Sequence, residues 1–148
     1  MFGSIVVGTD GSETAGKAVE KAIARARAVD GTIELVSAFE PVPSGLLREE
    51  ARQAPEDMQW MINPREDVEA TLRDAAEEIE EAGIDVTTFA REGDPADAIL
   101  DVAEELGADL VVVGNKGLTG AKRFLLGSVP NKVSHHAPCS VLIIRTTE

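Results

Sequence analysis

Short apolar runs rich in β-branched residues alternate with helix-patterned stretches along the whole of this chain, and that alternation leaves few folds open. Ile5-Val6-Val7 is the first run, ending at Gly8-Thr9-Asp10-Gly11-Ser12. Behind it Ala15, Ala18, Val19, Ala22, Ala26 and Val29 recur at helical spacing until Gly31. Thr32–Phe39 reads as a second strand, and Val68, Leu72, Ala75 and Ile79 mark a helix over 68–82 that Gly83 stops. Val86–Ala90 is strand-like with partly polar faces, as an edge strand would be. Asp94-Pro95 supplies an N-cap and a first-turn proline for a helix whose buried stripe is Ile99, Leu100, Ala103 and Leu106, ending at Gly107. Leu110–Val113 is uniformly apolar, the pattern of a parallel strand covered on both faces. A short helix begins at Ser128, Pro138 follows it, and Val141–Ile144 makes a fifth strand. Alternation of this kind, with right-handed crossovers, predicts an α/β fold: one open, largely parallel sheet with helices on both faces.

Length and composition bound the rest. A chain of 148 residues fits one domain able to bury a core without disulfides or metals. No apolar run approaches the roughly 20 residues of a membrane helix. The N-terminal MFGSIVVGTDGS lacks a basic region and reads straight into a strand, so no signal peptide is expected. Cys139 is the only cysteine, which excludes an internal disulfide and suits a reducing cytoplasm. A formal charge of −13 argues against general nucleic-acid binding, which needs basic surface. The chain is rich in acids and poor in lysine, as proteins of salt-accumulating cytoplasms are, because salt screens their self-repulsion. A haloarchaeal source is one expectation; an ordinary acidic bacterial or archaeal protein is the other. The proline-rich stretch Glu40–Pro64 is long for a βα connection and carries Met58, Trp60 and Met61. It reads either as a surface excursion or as a lid or dimer contact.

The chemistry concentrates near the C-terminus. Between Leu110 and Thr147 there is no Asp or Glu, although the chain has 27, while Lys116, Lys122, Arg123, Lys132 and Arg145 all lie there. Gly114 and Gly117 precede the pair Gly127-Ser128, and Ser128 is placed as the N-cap of the last helix. Glycines that admit close backbone approach, next to a helix N-terminus with free amides, form an anion site. Open α/β sheets bind ligands beyond the carboxyl ends of their strands, where the strand order reverses. Asp10 and Gly114 follow two such ends. If strands one and four are neighbours, Asp10 faces the glycine loop and can accept hydrogen bonds from a ribose or base, or hold a cation on phosphates. Asp-Gly is also a common turn pair.

On these residues the chain resembles the universal stress protein family, specifically its ATP-binding branch. The resemblance rests on Val7-Gly8-Thr9-Asp10-Gly11-Ser12, on Gly114-x2-Gly117-x9-Gly127-Ser128, and on the trailing His136-Ala137-Pro138-Cys139. It implies a Rossmann-like, adenine nucleotide alpha hydrolase-like sheet of order 3-2-1-4-5 and a homodimer joined through the last strand. It also implies a nucleotide-binding set of Thr9, Asp10, Ala38, Phe39, Gly114, Asn115, Gly117, Gly127, Ser128 and Val129. In that reading Asp10 lies near the ribose and the backbone at Ala38-Phe39 near adenine. Gly114 and Gly117 let the loop pass close to ribose and phosphates, and Gly127, Ser128 and Val129 present donors to the phosphates. The ligand is ATP, with magnesium at most through Asp10. Pro130 replaces a residue that is often Ala in the family and leaves one fewer amide donor.

Other signals are weaker. His135 and His136 are consecutive and point apart on a helix, so a last-turn role against the helix dipole outweighs metal binding. Cys139 precedes a buried strand as a small core residue. There is no G-x-x-x-x-G-K-[ST] phosphate loop. The leading expectation is a cytoplasmic, ATP-binding stress or signalling module. The alternatives are a slow ATPase or nucleotide hydrolase, and a dimeric interaction protein of the same fold that binds no nucleotide.

Overall fold

The computed structural model describes residues 3–11, 13–39, 65–115 and 128–145. Five strands and four helices alternate through them: β1 (Ser4–Gly8), α1 (Glu13–Val29), β2 (Thr32–Phe39), α2 (Arg65–Glu81), β3 (Val86–Glu92), α3 (Pro95–Leu106), β4 (Leu110–Gly114), α4 (Ser128–His136) and β5 (Ser140–Ile144). All strand pairings are parallel, and the sheet order is β3-β2-β1-β4-β5. This is the predicted fold and the predicted strand order. The chain moves outward from β1 through β2 to β3, then returns to place β4 on the other side of β1. The order therefore reverses between β1 and β4, where Val7 pairs with Val112.

The period of two along each strand sorts the core into two layers. Ile5, Val7, Ile33, Leu35 and Val112 pack on one face with Ala18, Val19 and Ala22 of α1 and with Val68, Leu72 and Ile79 of α2. Val6, Val36, Val111 and Val113 pack on the other with Ile99, Val102 and Ala103 of α3 and Val133 of α4. The central strands are buried on both faces, which is why Leu110–Val113 carries no polar residue.

Helix α3 has the boundaries its sequence announces. Asp94 sits in extended geometry (φ −68°, ψ 132°), and its carboxylate accepts a hydrogen bond from the Asp97 amide at 3.0 Å. Pro95 follows as the first-turn proline. Gly107 closes the helix in the left-handed region (φ 60°), its N–H donating to the carbonyls of Ala103 and Glu104.

Three local readings change. β3 runs to Glu92, two residues past its predicted end, and the Gly93 amide donates to the Phe39 carbonyl at 2.9 Å to finish the ladder. Leu106, assigned to the buried stripe of α3, is exposed at 44%, because it falls in the last turn beyond the reach of the sheet. Ser128 is already the first residue of α4 rather than the residue that caps it. The connection Glu40–Pro64, together with Ser12, Lys116, Gly117, Lys122, Arg123 and Gly127, lies outside the described residues.

Candidate functional site

The carboxyl ends of β1, β2 and β4 open onto a single pocket. Gly8, Thr9 and Asp10 reach it from β1, Val36, Ser37 and Ala38 from β2, and Val113 and Gly114 from β4. Pro95 and Ile99 of α3, Val129 and Pro130 of α4 and Ala15 of α1 complete the lining. The walls are mostly aliphatic, which suits a flat apolar ring, and polar groups enter near Thr9 and Asp10. It sits at the strand-order reversal, where a doubly wound sheet leaves its crevice.

The backbone at this end is held firmly. The Thr9 amide donates to the Val36 carbonyl at 3.0 Å, and the Thr9 hydroxyl accepts from the Gly11 amide at 3.2 Å. Gly11 has φ +81°, and a side-chain carbon placed on it would stand 2.8 Å from Thr71 Cγ2 of α2. The loop that carries Asp10 is thus fitted against α2 by a residue without a side chain. Gly8 is tight for another reason: a carbon added there would meet Ile99, with Ile99 Cγ1 at 3.1 Å. The absence of a side chain at Gly8 lets α3 lie against the end of β1.

Of the residues expected to bind nucleotide, Thr9, Asp10, Ala38, Gly114 and Val129 are brought together around this pocket. Phe39, Asn115 and Ser128 are not among its lining residues. Phe39 follows Ala38 by one residue, so its ring turns to the opposite face of the sheet, where it packs against the first core layer beneath the Arg65 guanidinium, 5.6 Å from the ring centre. The Asn115 amide is already committed to the Ile144 carbonyl at 2.9 Å. Ser128 is exposed at the start of α4. Gly117 and Gly127 lie outside the described residues. Ser37, Pro95, Ile99 and Pro130 line the pocket without having been expected to. Only the Asp94-Pro95 pair, which sets the start of α3 beside the strand ends, pointed there.

Charge in space differs from the simple count along the chain. Lys132 does not stand alone: its ammonium lies 2.8 Å from Asp97 Oδ1 and 3.5 Å from Asp94 Oδ2. The hydrogen bond to Asp97 pushes its pKa above the ordinary lysine value, with solvent loss opposing and the charges of both aspartates assisting. The cationic run between residues 110 and 147 is therefore partly neutralised by the N-terminus of α3.

The two histidines sit exposed in the last turn of α4, with ring centres 6.4 Å apart and planes tilted by 56°. No group of three or more His, Cys, Asp or Glu among the described residues is arranged to hold a metal. Cys139 packs half-buried against the second core layer, and burial, helped by Asp109, pushes its thiol pKa up. That disfavours the nucleophilic thiolate.

The universal stress protein family model matches residues 1–145. The chain belongs to the universal stress protein family. Universal stress protein Rv1636 of Mycobacterium tuberculosis is 38% identical over 149 aligned residues, covering 99% of this chain and 98% of the relative. Universal stress protein YxiE of Bacillus subtilis is 33% identical over 148 aligned residues, covering 98% and 100%. A universal stress protein solved in complex with cAMP is 33% identical, with a TM-score of 0.72 and 98% of each chain covered. The sheet order and the helices on both faces are those of this family's Rossmann-like fold. No helix among the described residues is long and apolar enough to cross a membrane.

Proposed function

We propose that this universal stress protein binds an adenine nucleotide, ATP in the first instance, as a nucleotide-responsive stress or signalling module. The observation that carries the reading is the pocket at the β1/β4 reversal, where Thr9, Asp10, Ala38, Gly114 and Val129 meet aliphatic walls. The slot between Val36, Ala38, Ile99 and Val113 takes the purine, and Asp10 at the loop above accepts from ribose hydroxyls. The phosphates extend toward the start of α4, where the helix end favours negative charge. Magnesium arrives on the phosphates. The cAMP complex of a 33% identical relative supports a nucleotide in this fold and makes cAMP the competitor to test.

The test is equilibrium binding of Mg-ATP and of cAMP to the purified chain, with phosphate release followed in parallel. Retained ATP without turnover is the expected result. Released phosphate turns the reading into a slow ATPase. Preference for cAMP replaces the ligand but keeps the site, and no binding of either leaves a non-nucleotide interaction protein.

The proposal extends to a homodimer through β5. This strand lies at the sheet edge with Val141, Leu142 and Ile143 only half-buried, and an unpaired apolar edge favours association. Two-fold pairing with a second copy satisfies that edge. Light scattering at micromolar protein in molar salt should give twice the chain mass of 15.7 kDa. A single-chain mass rejects the dimer.

A further inference from the structure

The ion pairs of Lys132 join the two helices that wall the candidate pocket. Pro95 and Ile99 of α3 and Val129 and Pro130 of α4 line that pocket. Lys132 stands one helical turn beyond Val129, and its ammonium bridges Asp97 Oδ1 at 2.8 Å and Asp94 Oδ2 at 3.5 Å. Asp94 is the N-cap of α3, with the same oxygen accepting from the Asp97 amide, so the bridge grips α3 at its first turn beside Pro95. Core packing secures α4 on its inner side, through the buried Pro130 and Val133 and the half-buried Val129. The lysine bridge is a second tie, on the solvent side.

We propose that Lys132 is a positioning residue for the nucleotide pocket: it fixes the start of α4 against the start of α3 through Asp94 and Asp97, rather than binding phosphate itself. The inference rests on the nucleotide reading above. One observation and one expected consequence separate this role from direct phosphate binding. The ammonium is already engaged by two carboxylates, and those carboxylates would be left facing an anionic ligand if the lysine turned to it. The tie also acts on the helix walls, so its loss should weaken the apolar slot for any adenine ligand, charged or not.

That gives a test with a neutral probe. Binding of adenosine and of Mg-ATP is measured for the parent, Lys132→Met, Asp97→Asn and Lys132→Arg, with circular dichroism to check folding. Exposed ion pairs of this kind carry modest energies, so Lys132→Met and Asp97→Asn should each weaken both ligands by about three- to fivefold. Lys132→Arg should restore most of the affinity, because a guanidinium can still bridge the two carboxylates. Amide hydrogen exchange at residues 132–136, whose N–H groups are bonded within α4, should accelerate in Lys132→Met without ligand present. A loss confined to Mg-ATP, with adenosine unchanged, assigns Lys132 to the phosphates and overturns the proposal. So does unchanged binding of both ligands in Lys132→Met, or unchanged exchange at residues 132–136 of α4. If the parent itself binds neither ligand, the nucleotide reading fails first and visibly, and the positioning role falls with it.

Discussion

Gly8→Val is expected to destabilise the protein by about 3 kcal/mol, at the upper end of what overpacking a close-packed interior costs. The first carbon of the new side chain would meet Ile99, with Ile99 Cγ1 at 3.1 Å, and Ile99 is itself buried at 4% exposure. Valine's preference for strands returns at most about 1 kcal/mol, so crowding wins. The expected fall in melting temperature is roughly 6–12 °C for a domain of this size. Gly8 also lines the pocket, so nucleotide affinity should fall with stability. The contact is checked by a second substitution. Ile99→Ala alone leaves a cavity and costs about 2–5 kcal/mol. In the Gly8→Val background the vacated volume accepts the valine, so the two costs should fall short of their sum by at least about 1 kcal/mol. Urea denaturation of the four proteins measures this directly. Strict additivity, or a Gly8→Val protein as stable as its parent, would show that β1 and α3 do not meet at this point.

The fold was legible because each element states its environment in its own residues. Leu110–Val113 is apolar throughout since both faces of β4 are covered, and Asp94-Pro95 and Gly107 mark the two ends of α3 by backbone chemistry that does not depend on the rest of the molecule. The pocket was legible to the extent that it lies at strand ends: Asp10 and Gly114 follow strands that do turn out to be neighbours.

What was not legible depends on contacts between distant elements. Ile99 reads as one more core residue of an apolar stripe, and only the approach of α3 to Gly8 makes it a pocket wall. Ala38 and Phe39 read as one unit at a strand end, yet pleating sends them to opposite faces. Lys132 belongs to a cationic run when charge is counted along the chain. In space it belongs to Asp94 and Asp97, whose helix is separated from α4 by β4. Spacing within an element is visible in sequence; neutralisation across elements is not.

The alternation at the end of β2 supplies a sharper test of where the ligand sits. Ala38 packs from the side against the second core layer and lines the pocket, whereas Phe39 packs against the first layer, across the sheet. Ala38→Phe should place a benzyl group in a pocket of about 100 Å³, filling the slot proposed for the purine. Nucleotide affinity is expected to fall at least about a hundredfold, equivalent to roughly 2.7 kcal/mol. The melting temperature should move by only a few degrees, since the ring enters open space instead of packed core. Phe39→Ala should do the reverse. It removes a half-buried ring that Arg65 covers, so it should lower stability while changing nucleotide affinity by less than about threefold. Isothermal titration and thermal denaturation of both variants separate the two effects. If Ala38→Phe binds nucleotide as tightly as the parent while folded, the ligand does not occupy this pocket. If Phe39→Ala instead loses binding at unchanged stability, adenine lies on the other face of the sheet.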